Sequence, residues 1–202
     1  MSRIVVFTHL SLDGVMQAPG RPDEDRRGKF EHGGWSVPYG DAVMGKVIGE
    51  HMAKSGALLL GRRTYDDFAG YWPKQKDNPF SEVLNQTQKY VVSTTLKEPL
   101  SWTNSTLLEG DVTQSVGTLK GKPGKDIVVL GSGELASALM RDNLVDEYLL
   151  TIHPLVLGSG RRLFPDGPGL SALQLVDSQT TKTGVIIATY RPAKSAKAAA
   201  TG

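Results

Sequence analysis

The sequence predicts an α/β fold around a central, largely parallel sheet, and three features carry that prediction. Short apolar, β-branched runs of strand length recur along the chain. The early ones are continuously apolar instead of alternating, which is the pattern of strands covered on both faces. Between them lie segments whose apolar residues repeat at steps of three and four. Such strand–helix alternation is what a parallel sheet with crossover helices requires.

In chain order, Ile4-Val-Val-Phe7 is the first strand, and Thr8 to Gly40 follows as a long loop bearing Gly14, Pro19, Gly20, Gly33 and Gly34. Loops of that length in a compact domain commonly carry function, so this one is expected to hold the site and act as a lid. Ala42 to Lys54 reads as a helix with Met44, Val47, Ile48, His51 and Met52 on one face, Asp41 as N-cap and Gly56 as stop. The strand Ala57-Leu-Leu-Leu60 hands over to a second helix at Arg62 or Arg63. Tyr90-Val-Val92 is the next strand, and Ile127-Val-Val-Leu130 leads into a helix from Glu134 to Arg141 with Leu135, Ala138 and Leu139 inward. Tyr148-Leu-Leu-Thr-Ile152 precedes a second long loop, Pro154 to Ser171. Leu173 to Val176, a polar turn from Ser178 to Gly184, and Val185 to Arg191 read as an antiparallel hairpin.

Composition narrows the function classes. A chain of 202 residues, 39% hydrophobic and 22% charged, suits one globular domain and excludes collagen-like and wholly disordered readings. Without cysteine there is no disulfide framework, thiolate nucleophile or cysteine-ligated metal, and a cytoplasmic setting is the default expectation. Residues 193–202, with Lys194 and Lys197, have no apolar face and are expected to form a flexible tail. Removing those two lysines from the 23 basic residues leaves 21, equal to the 21 acidic ones. No basic stripe for a nucleic acid is therefore expected. No apolar run nears the length of about eighteen residues that crosses a bilayer, and the early first strand leaves no room for a signal peptide, so no membrane partner is expected.

The chemistry-bearing motifs lie at strand ends. Leu60-Gly-Arg-Arg-Thr-Tyr65 places glycine, two arginines and a threonine where a strand meets a helix. Unpaired N–H groups and the helix dipole favour an anion there, although solvated arginines on an ordinary turn fit the same pattern. Leu130-Gly-Ser-Gly-Glu-Leu135 is a second glycine turn, equally compatible with tight helix packing. It departs from the GxGxxG fingerprint, with Ala136 at the next expected glycine. Ser93 and Thr94 follow a buried strand, as turn formers or ligand contacts. For proton chemistry the available groups are His9, Asp13, Asp41, Asp66, Asp67 and His153. Each also has a structural reading: Asp41 as a helix cap, Asp66 and Asp67 as first-turn acids, and His153 as a packed strand-end histidine. Trp35, Tyr39, Tyr65, Phe68, Tyr71 and Trp72 concentrate aromatic surface in the first third, as core or as a wall for a flat substrate. HExxH, GxSxG and EF-hand patterns are absent, and no metal site is expected.

Together, Ser11-Leu-Asp-Gly14, Gly61-Arg-Arg-Thr-Tyr65, Val92-Ser-Thr94, Val129-Leu-Gly-Ser-Gly-Glu-Leu135 and Pro154-Leu-Val-Leu-Gly-Ser-Gly-Arg-Arg-Leu-Phe164 resemble the dihydrofolate reductase superfamily. Within it they resemble the RibD C-terminal branch, the reductase domain of riboflavin biosynthesis. The resemblance covers roughly residues 1 to 192, which it implies form one reductase domain. It implies a three-layer α/β/α fold with a mixed, mostly parallel sheet, NADPH as hydride donor and a homodimer. It assigns Gly61, Arg62, Arg63, Thr64, Ser93, Thr94, Gly131, Ser132, Gly133, Glu134 and Leu135 to the cofactor. Thr151 and Trp35 go to a small-molecule substrate, and Asp13 and Asp41 to proton supply.

Three departures bear on the substrate. Trp35-Ser-Val-Pro-Tyr-Gly-Asp41 has one residue more than the stretch that supplies the pterin-holding carboxylate in dihydrofolate reductases. Leu130 stands where the riboflavin enzymes carry glutamate, and Glu134 where dihydrofolate reductases often carry arginine. The expectation is an NADPH-dependent reductase of a small pyrimidine- or pterin-like heterocycle or a carbonyl compound, like the reductase that acts on 5-amino-6-(5-phosphoribosylamino)uracil. The alternatives are a nucleotide-binding module without turnover and a genuine dihydrofolate reductase.

Overall fold

The computed structural model describes residues 1–164 and 171–193. Eight strands form one sheet: β1 Ile4–Ser11, β2 Ser55–Gly61, β3 Gln88–Val92, β4 Ser105–Leu108, β5 Asp126–Leu130, β6 Glu147–His153, β7 Leu173–Thr180 and β8 Ile186–Pro192. Their order is β4-β3-β2-β5-β1-β6-β8-β7. All neighbours from β4 to β6 are parallel, and β8 and β7 close that side antiparallel.

The continuous apolar runs have a direct cause. Alternate residues of each central strand enter two cores on opposite faces. Val6, Leu59 and Val129 pack on one face with α4 (Val112–Gly121) and α5 (Gly133–Arg141). Phe7, Leu58, Leu60 and Val128 pack on the other with α1 (Ala42–Lys54), α2 (Arg62–Tyr71) and α3 (Pro79–Gln86). Leu58, Leu59 and Leu60 are fully buried, each burial stabilising the fold by about 1.5–3 kcal/mol. The layers are therefore α/β/α. Among the described residues no helix is long and apolar enough to cross a membrane.

The structure adds elements that the sequence pattern conceals. β1 runs four residues past Phe7, because His9 and Ser11 stay in register with Thr151 and His153 of β6. The long loop accordingly starts at Leu12 and not at Thr8. Strand β4 is a short edge strand, and α4 carries Thr, Val and Gly in its interior, so neither has a strong periodic signal. Helix α3 does carry one in Asn78-Pro79, where the Asn78 side chain accepts from Phe80 N and proline occupies the first turn. The hairpin forms as expected, with a shorter turn containing Gly184 at φ +84°. Ala193, the first residue of the expected tail, still donates to Ala172 O. The rest of that tail, 194–202, and residues 165–170 of the second loop lie outside the described residues.

Candidate active site

The carboxyl ends of β1, β2 and β5 open into a cavity of about 1080 Å³, roofed by the loop after β1 and flanked by α1, α2 and α5. Open α/β sheets place ligands at this edge, where the crossovers diverge and strand ends present backbone groups.

One end of the cavity is electropositive. Glu134, in the first turn of α5, is approached by Arg63 at 2.8 Å, Arg161 at 3.3 Å and Arg27 at 3.6 Å. Arg141, Arg162 and Arg21 line the same cavity, so six arginines face four carboxylates, Glu24, Asp25, Asp67 and Glu134. Two glycine turns form the floor. Gly131 has φ +63°, and an added Cβ there would meet Thr64 Cγ2 at 3.4 Å. At Gly133 a Cβ would come within 2.7 Å of Met16 Sδ, so loop and helix approach closely only because the side chain is missing. The turns are tied together: Thr64 Oγ1 donates to Gly131 O at 3.3 Å, and Gly61 N donates to Ser132 Oγ at 3.0 Å. Ser132 Oγ also donates to Leu130 O, which turns it towards the sheet.

The other end is apolar and flat-walled. Phe68 and Trp72 meet edge-on at 6.1 Å, and Trp72 and Phe80 at 5.5 Å; all three line the cavity beside Phe7 and Ile48. Helix α1 faces this space with Gly45 and Gly49, and a Cβ at either would meet nothing within 4 Å. Each helical glycine costs about 1 kcal/mol relative to alanine. No close packing accounts for either residue, and both leave the cavity wider. Three lining residues carry buried polar atoms without a hydrogen-bond partner, Arg27 Nη1, Asp67 Oδ2 and Trp72 Nε1. Burial pushes the Asp67 carboxyl up, although Arg21 is bonded to its other oxygen.

The residues singled out from sequence divide sharply. Arg63, Thr64, Gly131, Gly133 and Glu134 line the cavity, whereas Gly61, Arg62, Ser132 and Leu135 do not. Arg62 pairs with Asp66 on the exposed face of α2, and Leu135 is in the core. Ser93 Oγ accepts from Thr95 N and Leu96 N, holding the turn after β3, and Thr94 is exposed. Asp13 accepts from Ser11 Oγ at 2.7 Å and from Leu157 N and Gly158 N. The Ser11 hydroxyl and those amides hold it well below the usual carboxylate range, at about 2. Asp41 caps α1 through Met44 N, also accepts from Lys182 N, and is held low by those bonds. Both carboxylates stitch loops together, and neither lines the cavity.

Thr151 and Trp35 also lie behind the wall. Trp35 Nε1 donates to Gln17 O, and its ring stands edge-on to His153 at 5.2 Å. Thr151 is fully buried with Oγ1 2.8 Å from His9 Nδ1. His9 Nδ1 is also 3.0 Å from His153 Nε2, and His9 itself lines the cavity. Burial, with the neighbouring His153 adding to it, lowers His9 to about 3; burial alone lowers His153 to about 4. The sequence marked both histidines only as available groups. Their pairing depends on the β1–β6 register, and no local motif signals it. Among the described residues no three His, Asp or Glu side chains group as metal ligands.

Comparison with known proteins bears on the family and the fold. Residues 2–187 match the model of the RibD C-terminal domain. The chain is 30% identical over 193 residues to the uncharacterized protein YyaP of Bacillus subtilis, covering 93% of this chain and 94% of that one. A Shewanella protein whose name places it in riboflavin biosynthesis superposes with a TM-score of 0.72 at 22% identity, covering 94% of this chain and 98% of that one. Dihydrofolate reductase from Enterococcus faecalis, complexed with NADP(H), superposes with a TM-score of 0.60 at 13% identity, covering 95% and 96%. These likenesses establish a dihydrofolate reductase-like fold, and the chain belongs to the RibD C-terminal domain family.

Proposed function

We propose that the protein is an NADPH-dependent reductase of a planar heterocyclic or carbonyl acceptor. The observation that carries this reading is one continuous cavity joining an arginine-rich end, floored by two glycine turns, to an aromatic end widened by Gly45 and Gly49. About 1080 Å³ exceeds the usual range for one small ligand and suits a dinucleotide and an acceptor together. The residues present fit the cofactor: positive φ at Gly131 opens the backbone turn, the amino end of α5 favours an anion, and Arg63, Arg161 and Arg27 exceed the charge of Glu134.

When bound, NADPH supplies a hydride equivalent. The chain's own part is positioning. Arg63 and its neighbours bind phosphate oxygens, Phe68, Trp72 and Phe80 wall the space for a flat ring, and the loop after β1 shields the cavity from water. Asp13 and Asp41 are ionised and outside the cavity, so this reading gives neither of them the proton. It also disfavours dihydrofolate as acceptor, because the cavity face of α1 presents glycine and Ile48 in place of a carboxylate.

The test is calorimetric titration with NADPH and NADH. Micromolar NADPH binding, weakened at least tenfold in Arg63→Ala, is expected. Binding of neither nucleotide overturns the reading. Binding without NADPH oxidation across a panel of quinones, pteridines and pyrimidines would make the protein a nucleotide-binding module.

A further inference from the structure

We propose that His9 is the residue that reads the acceptor: a neutral imidazole that points Nε2–H into the cavity to hold a carbonyl oxygen or ring nitrogen of a planar heterocycle. The inference rests on the reductase reading for the cavity, and deepens it by assigning what the aromatic end recognises.

One nitrogen of the histidine pair is an orphan. His153 is completely buried, and its Nδ1 has no hydrogen-bond partner. An unpaired buried N–H is rarer and more costly than an unpaired lone pair. The proton of neutral His153 therefore belongs on Nε2, 3.0 Å from His9 Nδ1, where it has an acceptor. His9 Nδ1 must then accept. Thr151 Oγ1, at 2.8 Å, is compatible with this when its hydroxyl also donates to Nδ1, which then accepts from both partners. With Nδ1 accepting, neutral His9 carries its own proton on Nε2.

That nitrogen is turned to the ligand space. Nε2 makes no hydrogen bond within the protein, yet it is not among the buried unpartnered atoms, and His9 lines the cavity next to Phe7 and Thr8. The side chain is fixed on its far side by Thr151 and His153, and His153 is braced by Trp35 at 5.2 Å and Tyr39 at 5.6 Å, both edge-on. A donor held this rigidly keeps its direction before the ligand arrives. Both rings titrate far below neutrality, so the donor stays neutral at pH 7 and attracts an acceptor atom, not an anion. Gly45, Gly49, Phe68 and Trp72, which line the same cavity, set the shape requirement of a flat ring. Thr151 and His153 are positioning residues in this arrangement.

The test uses the full chain, histidine labelled with nitrogen-15, and lumazine as a planar probe carrying two carbonyl oxygens. Two-bond nitrogen–hydrogen correlations at pH 7 are expected to show His9 as the Nε2–H tautomer, and lumazine is expected to shift that resonance. His9→Phe keeps a ring without the donor and should weaken lumazine binding about tenfold, whereas His9→Gln keeps an N–H and should retain most of it. NADPH affinity, measured on the same samples, should be unchanged in both variants. An Nδ1–H tautomer, an imidazolium, absence of lumazine binding, or equal affinity in His9→Phe overturns the assignment. The NADPH titration then shows separately whether the reductase reading survives. If His9→Phe unfolds, the tautomer and the lumazine shift in the unmodified protein still decide.

Discussion

The two ends of the cavity are built by different means. At the arginine end, Arg63 and Glu134 lie on two short contiguous turns, Gly61–Thr64 and Gly131–Glu134, joined by bonds from Thr64 to Gly131 and from Gly61 to Ser132, and Arg27 and Arg161 reach Glu134 from the loops after β1 and β6. The aromatic end is assembled from α1, α2 and α3, and His9 of β1, which lines the same cavity, is oriented by residues more than 140 positions away. An anion needs backbone N–H groups and positive charge, which one strand–helix junction supplies. A flat neutral ring needs shape and a directed donor, which only tertiary packing supplies.

Acid should separate the two ends most. His9 and His153 have lower pKa values folded, about 3 and 4, than the ordinary 6.5 of an unfolded histidine. The unfolded chain binds more protons below 6.5, so stability is full above that pH and falls as pH drops towards the folded values. Each group contributes about 1.4 kcal/mol per pH unit, so urea denaturation should lose up to about 4 kcal/mol between pH 6.5 and 5. His51, also lowered by burial, adds a smaller share. A flat profile across that window would break the description of a buried neutral pair.

The next effect is at the other end. Arg63→Ala removes the shortest of the three guanidinium contacts to Glu134, and NADPH affinity should fall ten- to a hundredfold, about 1.5–3 kcal/mol. Thermal stability should barely change, since Arg63 is half exposed. Helix α1 gives a smaller effect of opposite sign. Gly49→Ala should stabilise the protein by about 0.5–1 kcal/mol in denaturant titration, because a Cβ there meets open space and helical glycine is unfavourable. Gly49→Leu should leave NADPH binding intact and block any acceptor. Smallest of all, Arg62→Ala should change NADPH affinity by less than about threefold, because Arg62 pairs with Asp66 outside the cavity. A large loss there would show that the bound cofactor draws Arg62 inwards.

These predictions follow the line between what was legible in the sequence and what was not. The α/β class was readable because the strands buried on both faces are continuously apolar, as in Leu58, Leu59 and Leu60. The glycine turns were readable because each is contiguous. Asp13 and Asp41 were readable only as carboxylates near strand ends. Their use as loop and helix fasteners depends on amides of Leu157, Gly158, Met44 and Lys182, most of them distant in sequence. Gly45 and Gly49 carry no local signal in an amphipathic helix, since their importance is the empty space beside them. The His9–His153 contact was hidden because it requires β1 to continue past Phe7 in register with β6.

The most direct test of one cavity with two differently specified ends is a calorimetric NADPH titration of the unmodified protein, Arg63→Ala and Gly49→Leu, side by side. The account predicts micromolar binding to the unmodified protein, at least a tenfold loss in Arg63→Ala and no loss in Gly49→Leu. Binding unaffected by Arg63→Ala, or weakened equally by Gly49→Leu, would contradict it.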